Sequence, residues 1–239
     1  MMQAVLFLMY LVLATNAQSC SYSSLCSDHT MCKYQQGYAA ACGNPIYSGV
    51  TSSVDKQTIV DAHNNLRRQV AQGKESRGTS GAQPSAANMR KMSWDDELAS
   101  VAQRWTNQCN FGHDACRNVG RFLVGQNAYK FSSPDSSPNG QQDWKSAVQA
   151  WYNEVKVFNR NDISPFKFSL STGHYTQVVW ADTYKVGCGF TAYKASNGWY
   201  DKYYVCNYGP TGNWKGESMY KTGSACSKCS GACDNGLCV

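Results

Sequence analysis

The chain has 239 residues, a formal net charge of +6 with histidine neutral, and twelve cysteines. Its Lys and Arg residues are scattered, so no window resembles a nucleic-acid arm or a polybasic membrane patch, and nucleic acid is excluded as a partner. The cysteines are even in number and begin at Cys20, which favours disulfides in an oxidising compartment over a zinc knuckle; no histidine lies near Cys226 and Cys229, and Cys233 and Cys238 follow at once.

Residues 5–13 are an apolar run, and the small or polar Ala14-Thr15-Asn16-Ala17 follows. This is the layout of a secretory signal peptide over residues 1–17, cut near Gln18, although the segment before the run has no Lys or Arg. The run falls well short of the roughly 20 residues that span a bilayer, so an extracellular product without a membrane span is expected. About 220 residues remain, enough for one sizeable domain and a small appendage. No Asn-x-Ser/Thr sequon is present, so no N-linked glycan is expected.

Residues 18–50 hold four cysteines, a turn at Gly43-Asn44-Pro45 and little periodicity, and read as an irregular arm tied to the body by bridges. Ile59, His63 or Ala62, Leu66 and Val70 then recur at spacings of three and four, predicting a helix over about 55–71 that Gly73 stops. Residues 78–85 are loop by composition. Ser93 stands before the acidic Asp95-Asp96-Glu97, where a helix over about 94–109 is expected to start, with Leu98, Val101 or Ala102, Trp105 and Cys109 on one face. Trp144, Val148, Trp151, Val155 and Phe158 predict a third, core-facing helix. Beyond Asn159 the period falls to two, and 175–180, 186–193 and 199–207 predict strands of an antiparallel sheet with a hairpin at Ser196-Asn197-Gly198. Helices mainly ahead of strands indicate an α+β chain in layers, not a doubly wound fold. From Cys226 four cysteines fall within thirteen residues. That tail is too small for a core of its own, and removing everything after Tyr220 is expected to leave the body folded. The expected division is therefore 1–17, an arm over 18–50, a body over 51–220 and a tail over 221–239.

Two stretches carry the most information: Gly173-His174-Tyr175-Thr176-Gln177-Val178-Val179-Trp180, and Tyr203-Tyr204-Val205-Cys206-Asn207-Tyr208-Gly209-Pro210-Thr211-Gly212-Asn213-Trp214. With His29-Thr30-Met31-Cys32-Lys33-Tyr34, His63-Asn64-Asn65-Leu66-Arg67, Ala82-Gln83-Pro84, Trp94-Asp95-Asp96-Glu97-Leu98-Ala99, Gly112-His113-Asp114-Ala115-Cys116-Arg117 and Val124-Gly125-Gln126-Asn127, they resemble the antigen 5 branch of the CAP superfamily over residues 20–220. The resemblance implies a three-layer α-β-α sandwich, with Cys20 paired to Cys32, Cys26 to Cys116, Cys42 to Cys109 and Cys188 to Cys206. The last pair has separate support, because both cysteines lie in neighbouring predicted strands. The tail is similar to the hinge of vertebrate-type cysteine-rich secretory proteins, implying Cys226 to Cys233 and Cys229 to Cys238. The ion-channel regulatory module that follows that hinge has no counterpart in the sequence, so channel blocking is not carried over.

The same resemblance implies a cleft of two histidines and two acids that can hold a divalent metal. By position these are His113, Glu154 and His174, with Gln126 where most of the superfamily has an acid; insect antigen 5 proteins share this glutamine. Two neutral imidazoles and one carboxylate suit zinc or copper with an open position, though no cofactor is required. The opposing reading is that both histidines only hydrogen-bond Glu154 and Gln126 to fix loops. His63, on an amphipathic helix, is expected to be packed or capping, and His29 is given no role. There is no Gly-x-Ser-x-Gly elbow or His-Glu-x-x-His, and Ser169 and Ser171 precede His174 without forming a recognisable triad.

The expected protein is a secreted venom or salivary antigen 5-like effector, monomeric, acting on an unidentified host or prey target without catalysis, and an allergen in an exposed mammal. A carrier of sterols or fatty acids, with the first and third helices parted around an acyl chain, is one alternative. A metal-dependent hydrolase or dismutase-like enzyme is the other.

Overall fold

Buried histidine and paired cysteines, not periodicity, order the arm. In the computed structural model, which describes residues 20–135 and 141–239, α1 (Thr30–Lys33) is capped by His29, whose Nδ1 accepts from the Met31 amide at 3.1 Å. His29 is fully buried, stacks on Tyr22 and bonds the Asn118 carbonyl through Nε2 at 2.8 Å, so the histidine without an expected role anchors the arm to the loop over 107–124. The expected signal peptide, 1–17, lies outside the described residues.

Strand β1 (Asn44–Ser48) runs where sequence suggested only a turn. It is an edge strand with Pro45 and a bulge between Pro45 and Tyr47, so it shows no alternation to read. Helix α2 (Ser53–Ala71) starts at the Ser52 cap and ends before Gly73, whose φ of +67° gives the left-handed turn that glycine accepts most readily. Strand β2 (Ser93–Trp94) precedes α3 (Asp96–Thr106), whose cap is Asp95 and not Ser93: Asp95 Oδ1 accepts from the Leu98 amide at 3.0 Å. The start shifts because Ser93 and Trp94 pair in parallel with the sheet.

Strand β3 (Gly125–Ser133) was also hidden, being rich in polar residues and exposed over residues 130–132. Helix α4 (Trp144–Tyr152) tightens into 3-10 turns over Asn153–Val157, so the predicted helix to Phe158 is regular only in its first half. The segment over 175–180 is a correction: it forms helix α5 (Gly173–Val178), not a strand. Its β-branched and aromatic residues are nearly all buried without alternation, and the Glu154 carboxylate accepts from the His174 and Tyr175 amides at 2.9 and 3.1 Å, capping the helix start. Strands β4 (Lys185–Lys194) and β5 (Tyr200–Gly209) form the expected hairpin.

The sheet order is β1-β4-β5-β3, antiparallel throughout, with β2 added in parallel to β4. One face packs Val186, Cys188, Phe190, Tyr204, Cys206 and Tyr208 against α2, α4 and α5. The other sets Ala128, Tyr203 and Val205 against Ala102 and Trp105 of α3. The result is the expected three-layer sandwich. Gly187 and Gly189 let α3 approach β4, since a Cβ on either would sit 2.3 Å from the Ala99 nitrogen or 2.4 Å from the Gln103 nitrogen.

All six disulfides pair as the resemblance implied. The tail does more than close on itself. A small hairpin, β6 (Cys233–Asp234) and β7 (Leu237–Cys238), lies on α2 and on the segment 89–91. Leu237 is fully buried in the main core, the Cys238 amide donates to the Met89 carbonyl at 2.8 Å, and Arg68 donates to the Asn235 carbonyl at 3.0 Å.

Candidate functional site

Helix and sheet chemistry deliver the two histidines to one place. His174 sits at the start of α5, where Glu154, turned inward by the 3-10 segment, receives its amide and its ring: His174 Nδ1 lies 2.7 Å from Glu154 Oε1. Because Oε2 already takes two amides, both carboxylate oxygens are in use. Asn127 of β3 donates to the His174 carbonyl at 3.1 Å and ties α5 to the edge strand.

His113 lies in the loop after α3, with its Nδ1 2.7 Å from Gln126 Oε1. Gln126 is the neighbour of Asn127 on β3, so consecutive residues of one edge strand address the two histidines from the two faces of the sheet. Its amide nitrogen donates to Asp114 Oδ1 at 3.1 Å and to Asn207 Oδ1 at 3.0 Å. Desolvation by the surrounding loops lowers the His113 pKa, as do the nearby Arg117 and His174, while the Gln126 hydrogen bond opposes the shift.

His113 and His174 come near enough for the charge of one to bear on the other. Among the described residues no three His, Cys, Asp or Glu side chains are arranged to hold a metal ion. Glu154 accepts from two α5 amides and faces His174 Nδ1, and Gln126 faces His113 Nδ1, so neither Nε2 atom is taken up by these contacts. Asp114, Asn127 and Asn207 were missed as site residues. The signals available were the Asp114/Arg117 spacing of three, which forms an ion pair, and the amides placed beside Gln126 and Cys206 in the quoted segments.

His63 is packed as expected. Its Nδ1–H donates to the Ile59 carbonyl at 2.8 Å and Nε2 accepts from the Tyr208 hydroxyl at 2.9 Å, and complete burial lowers its pKa to about 4. Ser169 and Ser171 bond each other at 2.9 Å on the exposed surface. Neither bonds His174.

The groove between α2 and α4, where an acyl chain was considered, has a volume of about 430 Å³ and is lined by Thr58, Asp61, Asn65, Lys145 and Gln149, with only Ala62 and Leu66 apolar. A larger pocket of about 590 Å³ opens beside the far end of β3, mixing Tyr129, Phe131 and Tyr204 with Lys202 and Asp143. No helix among the described residues is long and apolar enough to cross a membrane.

Residues 60–208 match the family model of CAP, the cysteine-rich secretory protein family. Over 214 residues the chain is 45% identical to venom allergen 3 of Solenopsis invicta, covering 86% of this chain and 88% of that one. Over 206 residues it is 43% identical to venom allergen 5 of Dolichovespula arenaria, covering 84% and 98% respectively. Among solved structures it is similar to NaASP2 with Zn2+, at 36% identity and a TM-score of 0.62, covering 79% of this chain and 96% of that chain.

Proposed function

The chain belongs to the CAP cysteine-rich secretory protein family, in its antigen 5 branch, and from that premise we propose a secreted venom or salivary effector that acts by binding, without turnover, and is an allergen in an exposed mammal. The observation that carries the non-catalytic reading is the lack, among the described residues, of a thiol or hydroxyl nucleophile bonded to the cleft imidazoles. Glu154 is committed to an imidazole and two amides, Gln126 replaces the second acid, and no cysteine is free. A nucleophile would need an unengaged hydroxyl or thiol beside the open imidazole nitrogens, and neither Ser169 nor Ser171 bonds His174. The nearby serines face each other on the exposed surface.

The donor set fits a divalent ion of the zinc or copper type held by Nε2 of His113 and Nε2 of His174, with Glu154 and Gln126 orienting the rings from behind. Such an ion, when bound, supplies a Lewis acid. Two protein donors make it an optional ligand, not a cofactor. The polar groove between α2 and α4 gives a lipid little apolar wall, so the carrier reading is not favoured.

Two measurements test this. Peptide and ester hydrolysis by the purified, zinc-loaded protein is expected to stay at the buffer rate; steady cleavage that Ser169→Ala or Ser171→Ala abolishes would overturn the binding-effector reading. In titration calorimetry His174→Ala is expected to lose zinc uptake while keeping the native circular dichroism spectrum. Unchanged zinc binding would sink the two-histidine assignment.

A further inference from the structure

The hydrogen bonds around Gln126 leave only one place for the proton on His113. Asp114 is nearly buried; its Oδ2 accepts from the Thr30 hydroxyl, and its Oδ1 accepts from Arg117 and from Gln126. A carboxylate paired with an arginine only accepts. Asn207 donates from Nδ2 to the Leu98 carbonyl at 3.3 Å, which turns its Oδ1 toward Gln126 at 3.0 Å. The Gln126 amide nitrogen therefore meets two acceptors, and reversing the amide would set its oxygen against both.

With that orientation fixed, Gln126 Oε1 is the atom 2.7 Å from His113 Nδ1. An amide oxygen cannot donate, so Nδ1 carries the hydrogen. We infer that Asp114, acting through the Gln126 carboxamide, is a positioning residue that holds His113 in the Nδ1–H tautomer and leaves Nε2 as its free lone pair. Glu154 imposes the same tautomer on His174 directly, with its carboxylate 2.7 Å from Nδ1. The two rings are thus matched by different means. One is backed by a carboxylate that also caps α5; the other is backed by a neutral amide whose direction is set by a buried acid. The inference rests on the metal reading only for the use made of Nε2, because a divalent ion needs that lone pair bare.

Long-range 1H–15N correlation spectra of the metal-free, uniformly labelled protein at pH 8 read the tautomer directly. His113 and His174 are both expected to show the Nδ1–H pattern. In Gln126→Leu, His113 is expected to move mainly to the Nε2–H form while His174 stays unchanged, and zinc affinity is expected to fall about tenfold. Asp114→Ala is expected to give mixed tautomers at His113, whereas Asp114→Asn, which keeps an oxygen toward Gln126, retains the wild-type pattern. An Nε2–H pattern at His113 in the wild-type chain overturns the inference, as does an unchanged pattern in Gln126→Leu. If the tautomers are as expected but calorimetry shows no zinc uptake, the metal reading fails and the positioning role stands.

Discussion

Arg67 shows how much a single residue organises. Its guanidinium is fully buried with no carboxylate bonded to it, and it donates instead to the carbonyls of Arg90, Val178, Trp180, Ala181 and Thr183 at 2.7–3.1 Å. Carbonyls at the end of α5 carry the negative pole of that helix, which suits a cation. Desolvation lowers the Arg67 pKa to about 9, so it is charged at neutral pH. Arg67→Lys has three donors in place of this fork and is expected to lose about 3 kcal/mol or more in chemical denaturation. His63 makes the opposite demand. Its folded pKa of about 4 lies below the ordinary 6.5, so the folded state favours the neutral ring. That contribution is complete above pH 6.5 and is lost as the pH falls from 6.5 toward 4, by about 3 kcal/mol in all. Denaturation midpoints followed from pH 7 to pH 4 should show this slope in the wild type and a flatter one in His63→Gln.

At the scale of elements, α5 and the α3/β4 contact depend on groups distant in sequence. Glu154→Ala leaves the His174 and Tyr175 amides without their acceptor and is expected to cost about 1–2 kcal/mol. Hydrogen exchange should speed up first at 174–176, with the sheet amides unaffected. The α3 layer is more sensitive. Gly189→Ala would push a methyl into helix backbone that cannot rotate away, and a loss of several kcal/mol is expected, seen as a lower melting temperature with all disulfides intact.

For the whole molecule, two of the six bridges, Cys26–Cys116 and Cys42–Cys109, join the arm to the sandwich, and a shared core and backbone hydrogen bonds join the tail to it. Removing the chain after Tyr220 takes away Leu237 from the core and the backbone bonds to Met89, Ala87 and Ser85. Burying a leucine contributes roughly 1.5–3 kcal/mol. Calorimetry of the truncated protein is therefore expected to show a melting temperature about 5–10 °C lower, contrary to the separable tail that the cysteine spacing suggests. An unchanged melting temperature would return the tail to the status of an appendage.

The sequence by itself determined the family resemblance, the disulfide plan implied by it, helices α2, α3 and α4 to within a turn or two, and the β4/β5 hairpin. These elements have a buried face, and burial leaves a period that a reader can count. Strands β1 and β3 escaped because edge strands bury too little to alternate, and α5 was misread because burial on nearly all sides looks like a strand when the residues are Tyr, Thr and Val. Tertiary structure alone decided how the cleft side chains are hydrogen-bonded. That Glu154 caps α5, and that the Gln126 oxygen faces His113, depends on the α5 amide donors and on acceptors brought in by Asp114 and Asn207, and hydrogen-bond direction has no signature in spacing.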